Sequence, residues 1–207
     1  MLMETVGRKQ TDRRLALFDF DGTISTKDTT SDFIAYACGN KKALLGFLRL
    51  SPVFLRYNLR LISDHAAKEM SLAHYFRQWD RDAFIAAAKR YASEVLPTII
   101  KPSALDRILW HKQNDHTVAV VTGSLEILLE DWCKDMGLDL IATGIDLSGA
   151  KLSGKLSTRN CYQAEKARRI TEKYDLGKYA YIYAYGDSKG DREMLQLAHA
   201  RFYNSFS

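Results

Sequence analysis

Cysteine and proline are both scarce in this chain of 207 residues, with three of each, and no uninterrupted apolar run is long. Cys38, Cys133 and Cys161 are odd in number, far apart and outside any CxxC or Cys/His spacing. Neither a disulfide framework nor a structural zinc site is implied, and reduced thiols of a cytoplasmic protein are expected. With 46% hydrophobic and 27% charged residues, the composition excludes collagenous and disordered classes and provides for one large core. Arg49, Arg56 and Arg60 interrupt the most apolar stretch, so it falls short of the roughly 20 apolar residues of a spanning helix. Residues 1–12 have no apolar segment of the kind that makes a signal peptide and are expected to form a flexible arm. Acidic residues are absent from 33–63. The net charge of +5 suits an anionic small molecule or surface, and no nucleic acid is expected.

Three short apolar runs, at 15–20, 117–121 and 180–185, each end in a polar loop that contains glycine. Such runs read as buried parallel strands. A further strand is expected near 138–142, and helical periodicity fills 125–136 and 162–174. Alternating strands and helices predict an α/β fold whose parallel, Rossmann-like sheet is flanked by helices. Nearly the whole of 27–104 instead carries helical spacing, at 33–38, 43–50, 53–62, 66–79 and 83–95. We read it as an inserted α-helical cap, with the core formed by 13–26 and 105–207. Residues 146–156 resemble a small hairpin.

Chemistry concentrates in the loops. Asp19-Phe20-Asp21-Gly22-Thr23 aims two carboxylates, at i and i+2, the same way off a strand end. Two converging acids repel each other unless a hard cation such as Mg²⁺ sits between them and a substrate phosphate. Thr122 and Gly123 follow the second strand, where a hydroxyl and backbone N–H groups make an anion site. Lys166 lies on a helical segment, and Gly186-Asp187-Ser188-Lys189-Gly190-Asp191 supplies two more carboxylates after the last apolar run.

Taken in order, these four segments resemble the haloacid dehalogenase superfamily, and CYQAEKARR with AYGDSKGD resembles its phosphoserine phosphatase-like branch. The resemblance spans about residues 15–204 and implies a helical cap of the superfamily's first type. It implies that Asp19 is the nucleophile that forms an aspartyl phosphate, and that Asp21 is the acid and base. Thr122, Gly123 and Lys166 then hold the phosphoryl oxygens. Asp19, the backbone carbonyl of Asp21 and Asp187 ligate Mg²⁺, and Asp191 orients them from outside the ligand shell. Related ATPases carry Thr in place of Asp21, and dehalogenating members lack that carboxylate. A hydrolytic phosphatase is therefore expected.

The pocket departs from the phosphoserine phosphatases: Asp28 stands where they carry Glu, Gly190 where they carry Asn, and Ser124 where they carry a second Gly. Asp28, Arg56 and Arg60 are candidates for substrate specificity. The expected substrate is a small soluble phosphorylated metabolite. The alternative is a lipid phosphate at the membrane surface, since the basic, acid-free cap segment also looks similar to that of phosphatidylglycerophosphatase C. A non-catalytic binding module that retains the fold is a third reading, which the complete set of motif residues disfavours.

Overall fold

The computed structural model describes residues 13–206, so the expected arm at 1–12 lies outside the described residues. Five parallel strands form one sheet: β1 (Arg14–Phe18), β2 (Thr117–Leu125), β3 (Asp139–Thr143), β4 (Tyr181–Gly186) and β5 (Ala200–Tyr203), in the order β3-β2-β1-β4-β5. The central strand reads RLALF because it is covered on both faces. Leu15 and Leu17 point into one apolar cluster with Ala119, Val121, Ile182 and Ala184. Ala16 and Phe18 point into the other with Val118, Val120 and Tyr185. The two-residue period of a strand divides the core into these two layers.

Five helices follow β1: α1 (Thr29–Cys38), α2 (Asn40–Arg49), α3 (Ser51–Asn58), α4 (Asp64–Phe76) and α5 (Arg81–Glu94). Three are opened by side chains that accept otherwise unpaired backbone N–H groups: Asp28 from Ser31, Ser63 from Ala66, and Asp80 from Asp82 and Ala83. Pro52 occupies the first turn of α3, where its missing N–H costs nothing. Phe33, Phe76, Phe84 and Tyr91 pack ring against ring inside this helical insertion, with Phe33 centroids 5.5 Å from the other three. Their cluster continues through Phe20 and Ile24 into the layer below the sheet, so insertion and core share one apolar interior. A 3₁₀ turn at Leu96–Ile99 leads back to α6 (Pro102–Gln113), whose Ala104, Ile108 and His111 are buried.

The remaining helices are α7 (Glu126–Asp135), α8 (Ala164–Lys173) and α9 (Arg192–Gln196). Ile108 of α6 and Leu128 of α7 cover the Phe18 face, while Ile170 of α8 and Met194 of α9 cover the Leu17 face. No helix among the described residues is long and apolar enough to cross a membrane.

Two features correct the sequence reading. The expected hairpin at 146–156 forms no strands and is closed by a single antiparallel bridge, Ile145 to Leu156. Its backbone pairs instead with the turn between α4 and α5: Leu152 N donates to Trp79 O, Gln78 N to Leu152 O and Arg81 N to Ala150 O, each at 2.9 Å. The last strand was also unforeseen. β5 is four residues long and half-exposed at the sheet edge, and ARFY has no apolar run to signal it.

His111 is fully buried on α6, with Nε2 3.0 Å from Tyr185 Oη and Nδ1 2.7 Å from His116 Nδ1. Burial, with His116 and Arg107 adding to it, pushes its pKa down to about 3. The unfolded chain binds this proton near its ordinary value of about 6.5. Below that pH the unfolded state holds the extra proton and stability falls, by at most ~1.4 kcal/mol per pH unit until the folded-state value is reached. Urea midpoints should drop more steeply between about pH 7 and about pH 5 for the wild type than for His111→Gln. Equal drops would show that His111 does not carry this dependence.

Candidate active site

Asp19 follows β1 directly, and its backbone N donates to Tyr185 O at 2.9 Å, which aligns the ends of β1 and β4. Its side chain meets Lys166 from the first turn of α8. The ammonium, in a residue only 2% exposed, lies 2.5 Å from Asp19 Oδ1 and 2.6 Å from Asp191 Oδ1. Burial alone would lower the Lys166 pKa, but the two carboxylates outweigh it and hold the group well above its ordinary value. Burial pushes Asp19 up to about 7, against the attraction of Lys166 and with repulsion from Asp191 and Asp21. Asp191 is held below the usual carboxylate range: Lys166 and the Ser188 donors overcome its burial. Its second oxygen accepts from Asp187 N at 3.2 Å and from both Ser188 N and Ser188 Oγ at 2.9 Å.

Asp187 completes a carboxylate cluster at the end of β4. Thr23 Oγ1 lies 3.1 Å from Asp19 Oδ2 and 3.3 Å from Asp187 Oδ1, and its one proton serves one of them at a time. Burial and the nearby Asp191 raise the Asp187 pKa. One carboxylate oxygen from each of Asp19, Asp187 and Asp191 falls within 4.8 Å of the others. Both oxygens of Asp191 are taken, by Lys166 and by the Asp187–Ser188 donors, whereas Asp19 keeps Oδ2 clear of Lys166 beside Asp187, in a cluster of three carboxylates with one ammonium. A hard divalent cation fits this donor set, because it would relieve the repulsion with the oxygen ligands it prefers. Gly22 makes the approach of Asp187 feasible. It sits at φ +80°, and a Cβ there would lie 2.1 Å from Asp187 Oδ2.

Asp21 is held on the opposite side. Oδ1 accepts from Thr29 N at 2.9 Å and from Thr29 Oγ1, and Oδ2 accepts from Ser124 Oγ. Burial and the charge of Asp28 raise its pKa, partly offset by these donors. Thr122 is buried with Oγ1 accepting from Ser124 N at 3.0 Å, and Gly123 O accepts from Lys68 Nζ of α4. The β2–β3 register shifts between Val121 and Leu125, which bends 122–124 off the ladder towards the site.

Asp19, Asp21, Thr122, Gly123, Lys166, Asp187 and Asp191 therefore meet at the C-terminal ends of β1, β2 and β4, the position where open α/β sheets bind ligands. Asp28 is exposed, caps α1 through Oδ1 at 2.7 Å and lines the adjoining cleft. Arg56 and Arg60 are not brought to the cluster. Arg56 is exposed on α3, and Arg60, past its end at φ +58°, lines a separate depression with Gln163 and Lys189.

The sequence reading missed Lys68, whose flanking Ala67 and Glu69 give it the look of a surface lysine. It also missed Asn160, which joins the insertion to the sheet by donating to Asp64 Oδ2 at 2.8 Å and accepting from Thr143 at 3.2 Å. Ser124 was visible as a hydroxyl two residues after Thr122, and Thr29 only as the residue after a helix cap. Lys68 and Asn160 border a cleft of about 530 Å³ between α1–α4 and the segment that carries Asn160 and Tyr162.

A family model for haloacid dehalogenase-like hydrolases matches residues 16–196. The chain belongs to this family. It is 30% identical over 200 residues to the protein CicA of Caulobacter vibrioides, covering 93% of this chain and 86% of that one. Among solved structures it is similar to a protein of unknown function from Bordetella pertussis Tohama I, at 22% identity and TM-score 0.76, covering 92% of this chain and 89% of that one. A substrate-bound phosphoserine phosphatase superposes with TM-score 0.69 at 17% identity, covering 93% of this chain and 86% of the other. The hydrolase fold is thus shared across 93% of the chain with a phosphoserine phosphatase.

Removing a buried cation from between two carboxylates leaves both uncompensated, which costs about 3–5 kcal/mol. Lys166→Met should lower the unfolding free energy by that amount at neutral pH, whereas Lys178→Met on the surface should change it by less than about 0.5 kcal/mol. Equal effects in urea titrations would contradict the buried pairing.

Proposed function

We propose that the protein is a Mg²⁺-dependent phosphatase of phosphomonoesters that works through an aspartyl phosphate on Asp19. The observation that carries this reading is the pairing of two unlike acids. Asp19 lies against Lys166 and faces Asp187 in a site short of positive charge, whereas Asp21 is held apart by the Thr29 and Ser124 hydroxyls. Titratable groups with divergent environments are what a nucleophile and a proton carrier require.

Asp19, the backbone carbonyl of Asp21 and Asp187 would hold the Mg²⁺. When bound, the ion neutralises phosphoryl charge and keeps Asp19 ionised. The Asp19 carboxylate attacks phosphorus, and the bond from phosphorus to the leaving oxygen breaks as Asp21 delivers a proton to that oxygen. Asp21 then removes a proton from the water that attacks the aspartyl phosphate, releasing phosphate and restoring Asp19. Thr122, the Gly123 N–H and Lys166 steady the phosphoryl oxygens throughout, and Asp191 keeps Lys166 in position. Asp28 borders the cleft as a substrate contact. The kinship with phosphoserine phosphatases in fold supports this class of reaction, and a phosphorylated small molecule is its substrate.

Hydrolysis of p-nitrophenyl phosphate should require Mg²⁺, and Asp19→Asn should lose roughly 10³-fold or more in kcat while keeping the wild-type fold, read as an unchanged far-ultraviolet circular dichroism spectrum. Wild-type turnover by that variant would remove Asp19 from the chemistry. Ca²⁺ should slow the reaction more than about tenfold, because its larger shell draws in both oxygens of the nucleophile.

Gly22→Ala and Gly39→Ala form a matched pair. Both glycines have positive φ, +80° and +83°, but a Cβ on Gly39 meets no atom within 4 Å. Each variant should lose about 1–3 kcal/mol of stability from backbone strain, and only Gly22→Ala should lose turnover. Full activity in Gly22→Ala would show that the close approach of Asp187 is dispensable.

A further inference from the structure

The segment from α2 to the end of α3 is exposed where an ordinary amphipathic helix is covered. Leu44, Leu45, Phe47, Leu48, Leu55 and Leu59 are each between 53% and 62% exposed. Leu61, just beyond them, is 66% exposed. Of the 13 large exposed hydrophobic residues described, these are seven, so the apolar surface is a patch rather than a scatter. α2 rests on the rest of the insertion through its small residues: Gly46 packs against the Tyr75 ring and Ala43 O accepts from Tyr75 Oη at 2.8 Å. Its large residues are thereby turned outward. Around them Lys41, Lys42, Arg49, Arg56 and Arg60 are all exposed, and 33–63 contains no carboxylate.

The cleft opens through the same patch. Leu44 and Phe47 are rim and wall at once, Leu50, Phe54 and Tyr75 continue the apolar wall, and Lys68, Asp28 and Asn160 form the polar side next to the catalytic carboxylates. An exposed apolar rim and an apolar wall thus adjoin a polar side, which reaches the site through the bond from Lys68 to Gly123 O.

We propose that the α2–α3 face docks on an anionic lipid bilayer and that the cleft takes up the apolar part of a lipid phosphomonoester from it. Charge complementarity selects this occupant. A lipid surface offers an apolar layer beneath anionic headgroups, which matches a segment that exposes leucines together with five cations and no carboxylate. A second copy of the chain would set the same five cations against each other across a twofold interface. The substrate half of the proposal rests on the phosphatase reading, whereas the docking half does not. On sequence alone a cap helix whose arginines face solvent or a substrate phosphate outweighs a membrane contact, because amphipathic helices are common; the outward leucines are what the structure adds.

Co-sedimentation of the full chain with vesicles tests the docking. Binding to equimolar phosphatidylglycerol and phosphatidylcholine should exceed binding to phosphatidylcholine alone by at least about tenfold, and should fall as salt is raised to about 0.5 M. Leu45→Ser with Leu48→Ser and Leu55→Ser, and separately Lys41→Gln with Lys42→Gln and Arg49→Gln, should abolish it. None of these residues lines the cleft, so both variants should keep wild-type hydrolysis of p-nitrophenyl phosphate. On the same vesicles, kcat/KM for a monoacylglycerol 3-phosphate should exceed that for glycerol 3-phosphate by at least about tenfold, and the leucine variant should lose that advantage.

Equal binding to neutral and anionic vesicles, or none while p-nitrophenyl phosphate is hydrolysed, overturns the proposal. A dimer that the leucine variant dissociates, without vesicle binding by the wild type, overturns it in favour of a second copy. Vesicle binding with no hydrolysis of any ester removes the phosphatase reading and leaves the docking surface standing.

Discussion

An ammonium group withdrawn from water is tolerated only beside full countercharge, and Lys166 meets this condition with two carboxylates at 2.5 and 2.6 Å. Asp19 comes from the end of β1 and Asp191 from the loop after β4, so one cation fixes three separate parts of the chain. The same contact decides which acids remain available. Lys166 and the Ser188 donors occupy both oxygens of Asp191 but only one of Asp19, so Asp19 and Asp187 are the pair that a divalent cation would bridge. Asp21 escapes this arrangement because Thr29 and Ser124 draw its carboxyl the other way. The division of labour proposed for the two acids, nucleophile and proton carrier, rests on where each finds its donors.

The helical insertion is coupled to that centre by both apolar and polar contacts. Phe20 and Ile24, on either side of the Asp21-Gly22-Thr23 turn, belong to the cluster that contains Phe33, Phe76 and Phe84. The turn that presents Asp21 and Thr23 is therefore anchored by the insertion's own core. α4 adds polar ties at the cleft: Lys68 to Gly123, Asp64 to Asn160, and Glu69 to Lys155 at 2.7 Å and to Leu156 N at 3.1 Å. The loop at 146–156, closed at its base by the Ile145–Leu156 bridge and the bond from Asp146 N to Lys155 O, thus acts as a clasp on α4.

The core was legible in the sequence because its strands are buried on both faces and end in chemically distinctive loops. RLALF before Asp19 and TVAVV before Thr122 left little room for another reading. β5 was not legible, since an edge strand half in water has no need of an apolar run. Among site residues, acids crowded at strand ends are conspicuous because such crowding is costly without a purpose. Lys68 is inconspicuous: a lysine on a helix among alanines is identical in pattern whether it meets solvent or a cleft. The outward leucines of α2 show the same limit from the other side. Spacing gives an apolar stripe its place on a helix, but the packing of Gly46 against Tyr75 decides which way the helix rolls.

The central claim is that Asp19, and not Asp21, bonds to phosphorus. Acid quenching during turnover of a phosphomonoester, followed by borohydride reduction, converts an acyl phosphate to homoserine at the residue that carried it. Peptide mass spectrometry should then find homoserine at position 19 in the Mg²⁺-loaded wild type, with position 21 still aspartate. Homoserine at position 21, or none at either position while turnover proceeds, would contradict the account.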